Sequence, residues 1–381
     1  MNKIVIIGSG MGGYSLAREF RKRNQDTELL IITRDDGSSY SKPMLSNALA
    51  KNKAADELVM ANAEKMAKDL NATIWTETTV TDIDSDKHLV TTDKQTTQYD
   101  QLVLAYGAYS IRAPIDGNAS EDVITVNNLD DYREFRNKLD SGKRVAIIGA
   151  GLIGCEFAND LSTLDTEISI IDLAPQPLGR LLSPHASDIL KQKLSSLGIS
   201  WQLDTVVTDI NHADNGLLIN LKNGQTIEAD IVLSAIGLRA DLSLAEKANI
   251  DTDRGIKVDR LLRSSNESIY ALGDCAQVED LNLPFVMPLM NSARALAATL
   301  AGEETAVSYP AMPVVVKTPC YPIVVCPPPR RTEGDWEEEI SEDGVRATFI
   351  DNKGQALGFV LTGNLTKERM AMGKLMPDWL A

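Results

Sequence analysis

The chain has 381 residues, enough for two or three domains, and its 43% hydrophobic and 24% charged content is that of an ordinary globular protein. No apolar run approaches the roughly 18 residues that a membrane-spanning helix needs. A net charge of −16 argues against nucleic acid and anionic membrane as partners and favours solubility. The chain enters a strand at once, over residues 3–7, and this short apolar run ends in glycines, so no signal peptide is expected. The strand leads into Gly8-Ser9-Gly10-Met11-Gly12-Gly13, then an amphipathic stretch, then a second strand over 28–33. A further apolar strand over 101–104 runs into a glycine turn at Ala105-Tyr106-Gly107-Ala108.

Residues near 140–240 repeat this plan. A strand over 144–148 leads into Gly149-Ala150-Gly151-Leu152-Ile153-Gly154, a helix body follows over 156–164, and strands follow over 167–172 and 230–237. A duplicated order of parts at this scale predicts two homologous domains. After the second copy comes Tyr270-Ala271-Leu272-Gly273-Asp274-Cys275. From about residue 313 the chain is rich in proline and β-formers, with strands expected over 313–317, 323–325, 345–350 and 357–361 and a loop at Cys326-Pro327-Pro328-Pro329-Arg330-Arg331. A small α/β third domain is expected there.

The two glycine signatures carry the chemistry. In G-x-G-x-x-G after a strand, the first glycine makes the turn and the second lets backbone approach a pyrophosphate. The third lets helix pack on strand, and the helix N-terminus faces the anion. Two copies, 141 residues apart, imply two dinucleotides and electron transfer between them. A strand-end acid about 20 residues past the glycines usually holds the adenosine ribose. Asp172 stands 18 residues after Gly154 and is followed by Leu173 and Ala174, with no cation for a 2′-phosphate, so the second copy is expected to prefer NADH. In the first copy the strand ends Thr33-Arg34-Asp35, leaving either Asp35 or local backbone for the ribose, and Arg34 for adenine or phosphate. Gly273-Asp274 offers an acid that could accept hydrogen bonds from flavin ribityl hydroxyls.

These motifs, with Tyr40-Ser41-Lys42-Pro43-Met44-Leu45-Ser46, Cys155-Glu156-Phe157-Ala158-Asn159-Asp160, Met287-Pro288-Leu289-Met290 and Val316-Lys317-Thr318-Pro319, resemble the FAD- and NAD(P)H-dependent reductases with the two-dinucleotide-domain fold of glutathione reductase. Within them the chain is most similar to the bacterial rubredoxin reductases, and the resemblance covers essentially its whole length. It implies an α/β fold of two Rossmann-like domains plus a small C-terminal α/β domain. The FAD-binding domain comprises 1–110 and 245–312, the NAD-binding domain is inserted at 111–244, and residues 313–381 form a wall of the flavin site. The implied FAD-binding residues are Gly8, Gly10, Gly12, Gly13, Thr33, Arg34, Asp35, Lys42, Pro43, Ala105, Gly107, Arg112, Gly273, Asp274 and Lys317. Those implied for NADH are Gly149, Gly151, Leu152, Ile153, Gly154, Glu156, Asp172 and Gly237. A Lys–Glu pair near the flavin is common in the family, and Lys42 with Glu156 is the expected pair; some relatives carry their lysine where this chain has Asn47. Lys317 is the second cation expected by the ring, where positive charge would stabilise a reduced anionic flavin.

Departures from the family are informative. Residues 40–60 hold no cysteine, no cysteine pair occurs at short spacing, and the histidines are His88, His185 and His212, far from the C-terminus. Thiol chemistry like that of the disulfide reductases is therefore not expected. Cys155 and Cys275 read as small packing residues, and the spacing of Cys320 and Cys326 supports no metal site. Four cysteines without a secretion signal suggest a cytoplasmic setting. The expected activity is NADH-driven reduction of rubredoxin through FAD, with ferredoxin or another small redox protein as the alternative acceptor, or a redox-sensing role; alkane oxidation is the pathway associated with the family. An acidic rubredoxin facing an acidic enzyme calls for a local basic face, for which Lys42, Lys317, Arg330 and Arg331 are the candidates.

Overall fold

The computed structural model describes residues 2–381. Its first sheet is parallel and runs Ile269–Ala271, Gln101–Leu104, Lys3–Ile7, Glu28–Ile32, Thr73–Trp75. Its central strands are continuous apolar runs because both faces are covered, so the alternation of a half-exposed strand is absent. On one face the helix Met11–Arg21 packs against the long helix Val286–Leu300. A three-stranded antiparallel meander, Val80–Asp84, Leu89–Thr92 and Thr96–Gln98, contributes Ile83 and Val90 to the same core.

The second sheet repeats the plan: Ser200–Gln202, Glu167–Ile171, Arg144–Ile148 and Ile231–Ser234 are parallel, and a second meander accompanies them, Val207–Ala213, Gly216–Leu221 and Thr226–Ala229. The chain leaves the first sheet through Ala108–Ser110 and returns through Leu238–Ala240, and these two strands pair antiparallel as a ribbon. That return explains why the fifth strand of the first sheet, Ile269–Ala271, comes after the whole second sheet.

The third sheet is antiparallel, in the order Val314–Val316, Ile323–Cys326, Ala356–Thr362, Gly344–Asp351, Gly334–Ser341. One face, with Val316, Ile323, Val325, Val345, Ala347 and Val360, merges with the core of the second sheet. The other, with Val324, Cys326, Phe359 and Leu361, is closed by the C-terminal segment through Met376. This region is mostly sheet, with the five-residue helix Arg369–Gly373 and a 3-10 turn before it. Its edge strand Gly334–Ser341 lay outside the expected strands. Its outward acids, Glu337 and Glu339, blunt an edge that could otherwise pair with another chain.

The two glycine turns test the packing directly. A Cβ on Gly154 would stand 1.9 Å from the Gly149 carbonyl oxygen, a backbone atom that cannot yield, whereas one on Gly151 would have nothing within 4 Å. Gly154→Ala is expected to destabilise the protein by several kcal/mol and so to lower its melting temperature sharply. Gly151→Ala should cost about 1 kcal/mol or less, as a helix-cap change. Thermal melts of the two variants side by side check this.

Candidate functional site

The two glycine turns match in detail. Gly8 N–H donates to the Ile32 carbonyl and Gly149 N–H to that of Ile171, both at 2.8 Å. Both turn glycines have left-handed backbone, φ +109° and +112°, which favours glycine. Gly13 and Gly154 are held to glycine by the same 1.9 Å clash. Gly10 and Gly151 differ in kind. Each caps the following helix in extended backbone that any residue adopts, and each faces open space. The protein itself does not require glycine there. Helix N-terminal amides beneath an open space of this kind suit a pyrophosphate, so both turns fit a dinucleotide.

The strand-end acids brace these turns. Asp172 accepts hydrogen bonds from the amides of Ala150, inside the glycine turn, and of Ala174 at 2.6 Å. Asp35 accepts from the hydroxyl of Ser9, the residue equivalent to Ala150, at 3.1 Å, from Thr33 at 2.6 Å and from the Gly37 amide at 3.0 Å. Each acid thus stands at the mouth of its turn. Around the second turn Ile153, Leu173 and Ile236 are exposed apolar side chains, an unusual rim on so acidic a chain and one suited to flat heterocycles.

Arg34 and Arg112 come together in the structure. They line a cavity of about 490 Å³ beside the ribbon, with Tyr109, Asn127, Asp131 and Arg239. Arg239 was not apparent from the sequence, since nothing in its pattern marks it. Three guanidinium groups against one carboxylate give this cavity a positive lining suited to phosphate.

The third constellation lies where all three sheets meet. Lys42 Nζ stands 3.9 Å from Asp274, and burial pulls its pKa below the usual lysine value. Glu156 is 1% exposed. Its Oε2 accepts from Lys317 Nζ and from Ser46 Oγ, both at 2.6 Å, and its Oε1 from the Lys317 amide at 3.0 Å. Lys317 Nζ also donates to Ser46 Oγ at 2.6 Å and to the Pro43 carbonyl at 2.5 Å. The pair expected between Lys42 and Glu156 is therefore formed by Lys317 instead, and Lys42 faces Asp274. The physical reason is that Val314–Val316 delivers Lys317 directly onto Glu156 in the second turn of the helix Leu152–Leu161. Ser46, which completes the network, was visible only as part of the Tyr40-to-Ser46 motif.

The same helix makes two more buried contacts on the same face. Asn159 accepts from the Cys320 amide at 3.1 Å, and Asp160 accepts from the amides of Leu49 and Ala50 at 2.8 and 3.0 Å. Burial raises the Asp160 carboxyl above the usual range, although both amides pull it down. Positions 156, 159 and 160 are one helical face. That face holds the 42–50 segment of the first unit and the 317–320 turn of the third.

The cysteine thiols take no part in these networks. Burial pushes the Cys155 thiol strongly up and those of Cys275 and Cys326 up to about 12, so none is a ready nucleophile. Among the described residues no group of three or more His, Cys, Asp or Glu side chains could hold a metal ion, and no helix is long and apolar enough to cross a membrane.

Two glycine-turn sheets linked by a ribbon, with a third sheet closing on their junction, define a class. Residues 2–298 match the pyridine nucleotide-disulphide oxidoreductase family, and the chain belongs to it. Residues 306–376 match the rubredoxin binding C-terminal domain. The chain is 49% identical to the rubredoxin-NAD(+) reductase of Acinetobacter baylyi, over 99% of this chain and 98% of that one, and 46% identical to the rubredoxin-NAD(+) reductase of Alcanivorax borkumensis, over 99% of both. In fold it resembles a ferredoxin reductase from Rhodopseudomonas palustris, with a TM-score of 0.90 at 23% identity over 99% and 96% of the two chains. The NADH:rubredoxin oxidoreductase of Clostridium acetobutylicum superimposes with a TM-score of 0.80 at 21% identity over 98% and 93%.

Removing one member of a buried ion pair leaves the other charge without compensation. Lys317→Met is expected to destabilise the protein by about 3 kcal/mol, and Lys317→Met with Glu156→Gln to recover part of that loss. Urea unfolding of both variants against the parent measures it.

Proposed function

We infer that this chain is an NADH-dependent flavoprotein reductase that passes electrons from NADH, through FAD, to rubredoxin. The observation that carries the reading is the joining of two matching dinucleotide turns by Glu156, which belongs to one turn's helix and ties down the segment beside the other. In this reading Gly8, Gly10, Gly12 and Gly13, with Thr33, Arg34 and Asp35, hold the FAD adenosine diphosphate, helped by Arg112, Ala105 and Gly107. Gly273 and Asp274 hold the ribityl chain, and Lys42, Pro43 and Lys317 flank the ring. Gly149, Gly151, Leu152, Ile153 and Gly154 hold NADH, with Asp172 on its ribose and Gly237 at the hinge. Residues 1–110 with 245–312 form the FAD unit, 111–244 the NADH unit and 313–381 the acceptor side; the ribbon of Ala108–Ser110 with Leu238–Ala240 supports the first of these divisions.

When bound, FAD accepts a hydride's two electrons and releases them singly. The overall balance is one NADH and two oxidised rubredoxins giving NAD+, one proton and two reduced rubredoxins. The chain's own contribution is orientation and charge. The two turns align donor and acceptor rings, which supplies rate by proximity. Lys42 and Lys317 place positive charge where electrons accumulate. The acceptor assignment is supported by the match of residues 306–376 and by the two relatives of nearly equal length. We place the enzyme in the cytoplasm, in keeping with four free cysteines.

The direct test is NADH-driven reduction of purified rubredoxin, compared with ferredoxin and oxygen; preference for ferredoxin would overturn the acceptor assignment. NADH is expected to give a higher kcat/KM than NADPH, because Asp172 repels a 2′-phosphate. Asp172→Ala should narrow the gap by about 1.5–3 kcal/mol, the worth of a charged hydrogen bond, and a preference for NADPH in the parent enzyme would contradict the site. Replacing all four cysteines by Ser or Ala should leave turnover of the FAD-loaded protein largely intact, as steady-state assays would show.

A further inference from the structure

The cavity beside the ribbon is built from both halves of the duplication. Arg34 follows Thr33 at the mouth of the first glycine turn. Tyr109 and Arg112 follow the Ala105-Tyr106-Gly107 turn, and Asn127 and Asp131 stand at the start of the helix Leu129–Leu139. Arg239 comes from Leu238–Ala240, the strand by which the chain returns from the second sheet. In the ribbon Tyr109 pairs directly with Arg239, so the two side chains lie side by side on one face. The Ile111 amide continues the pairing to the Gly237 carbonyl at 3.0 Å.

The cations of this cavity are not neutralised from within. Among the described residues neither Arg34 nor Arg239 forms an ion pair. Arg112 reaches only Glu121, at 3.2 Å, on the surface. Asp131, the one carboxylate in the lining, accepts from the Asn127 amide at 2.8 Å and so is spent on the helix start. Asn127 adds a second unmet demand. Its Nδ2 donates to the Ala108 carbonyl at 2.8 Å, at the base of the ribbon, while its buried Oδ1 has no partner. A buried acceptor is costly until a donor meets it. The cavity therefore calls for one molecule with both a compact anion and polar hydrogens, and about 490 Å³ is room for part of a nucleotide.

The lining decides which dinucleotide this is. It includes Arg34 from the first turn's strand end and no residue of Gly149–Gly154, nor Asp172 or Leu173. The chain that carries Tyr109 and Arg112 also leaves directly from the first turn, since a Cβ on Gly8 would stand 2.5 Å from the Ala105 carbonyl oxygen. The cavity belongs to the first copy's nucleotide.

We propose that Arg239 is a ligand of the FAD diphosphate, so that both units hold the cofactor and its binding staples the ribbon between them. The proposal rests on the reading of the first glycine turn as the FAD site and adds a contact from the NADH unit's return strand. A planar guanidinium suits a diphosphate because its fork of donors matches the phosphate oxygens. Without that anion the arginines repel each other across the ribbon. With it, Tyr109 and Arg239 are drawn to the same ligand, and the paired strands are held from the cavity side.

The test follows FAD loss from the purified holoenzyme after dilution, read as the recovery of free-flavin fluorescence. Arg239→Gln is expected to speed FAD loss about 10- to 100-fold, the range for one lost charged hydrogen bond. Arg239→Lys keeps the charge but not the fork, and should fall between the two. Lys222→Gln removes an exposed cation from a turn of the second meander that does not line the cavity, and should lose FAD at the parent rate, which separates a ligand from a change in net charge. With FAD in excess, amide exchange over 108–112 and 237–240 should be faster in Arg239→Gln than in the parent; equal exchange overturns the staple. FAD loss from Arg239→Gln at the parent rate overturns the contact and leaves the FAD reading of the first turn standing. A raised KM for NADH in an Arg239→Gln enzyme that keeps its FAD assigns the cavity to the other dinucleotide and overturns the contact as well. A parent protein that purifies with FMN, or with no flavin, overturns the reading of the first turn and the contact with it.

Discussion

Everything at the junction depends on one carboxylate that water cannot reach. Glu156 is buried in the second turn of the helix that starts at the second glycine turn, and a buried charge persists only when it is paired and fully hydrogen-bonded. Ser46, the Lys317 ammonium and the Lys317 amide meet that demand, and they come from two other parts of the chain. The need to satisfy one carboxylate therefore fixes three bodies against each other. Asn159 and Asp160 extend the constraint along the same face, each binding backbone amides that no regular element satisfies. A polar junction of this kind sets register more sharply than apolar packing, because a small slip leaves several buried groups unpartnered.

The duplication explains why this works. Each copy brings a strand, a turn and a helix N-terminus to one edge of its sheet, so each edge is a place for an anion. Inserting one copy into the other through a paired ribbon turns the two edges toward a common region. The third sheet lends its inner face to the second core and its Lys317 to the junction.

Much of this was legible in the sequence because strand, glycine turn and helix leave a local pattern. The turns of Gly8 and Gly149, the acids Asp35 and Asp172 and the parallel strands all fall where that pattern places them. What was not legible is tertiary. Lys42 and Lys317 are both cations near glycine- or proline-rich turns, and only the course of Val314–Val316 decides which one meets Glu156. Arg330 and Arg331 look well presented after three prolines, but strand order puts them at the end of the sheet away from Lys317. Arg239 sits in no motif and joins Arg34 and Arg112 only through the ribbon. The strand Gly334–Ser341 alternates weakly because it is an edge, with little to bury. The helix Val286–Leu300 carries Pro288 in its first turn, where proline is tolerated, so a residue that usually breaks helices stands inside one.

The central claim is that one buried network positions both sides of the cofactor, the donor side and the acceptor side. Separate anaerobic stopped-flow measurements of flavin reduction by NADH and of flavin reoxidation by rubredoxin, in Glu156→Gln loaded with FAD, test it most directly. The account predicts that both half-reactions slow together. A variant that retains FAD and slows in one half-reaction while the other keeps the parent rate would contradict it.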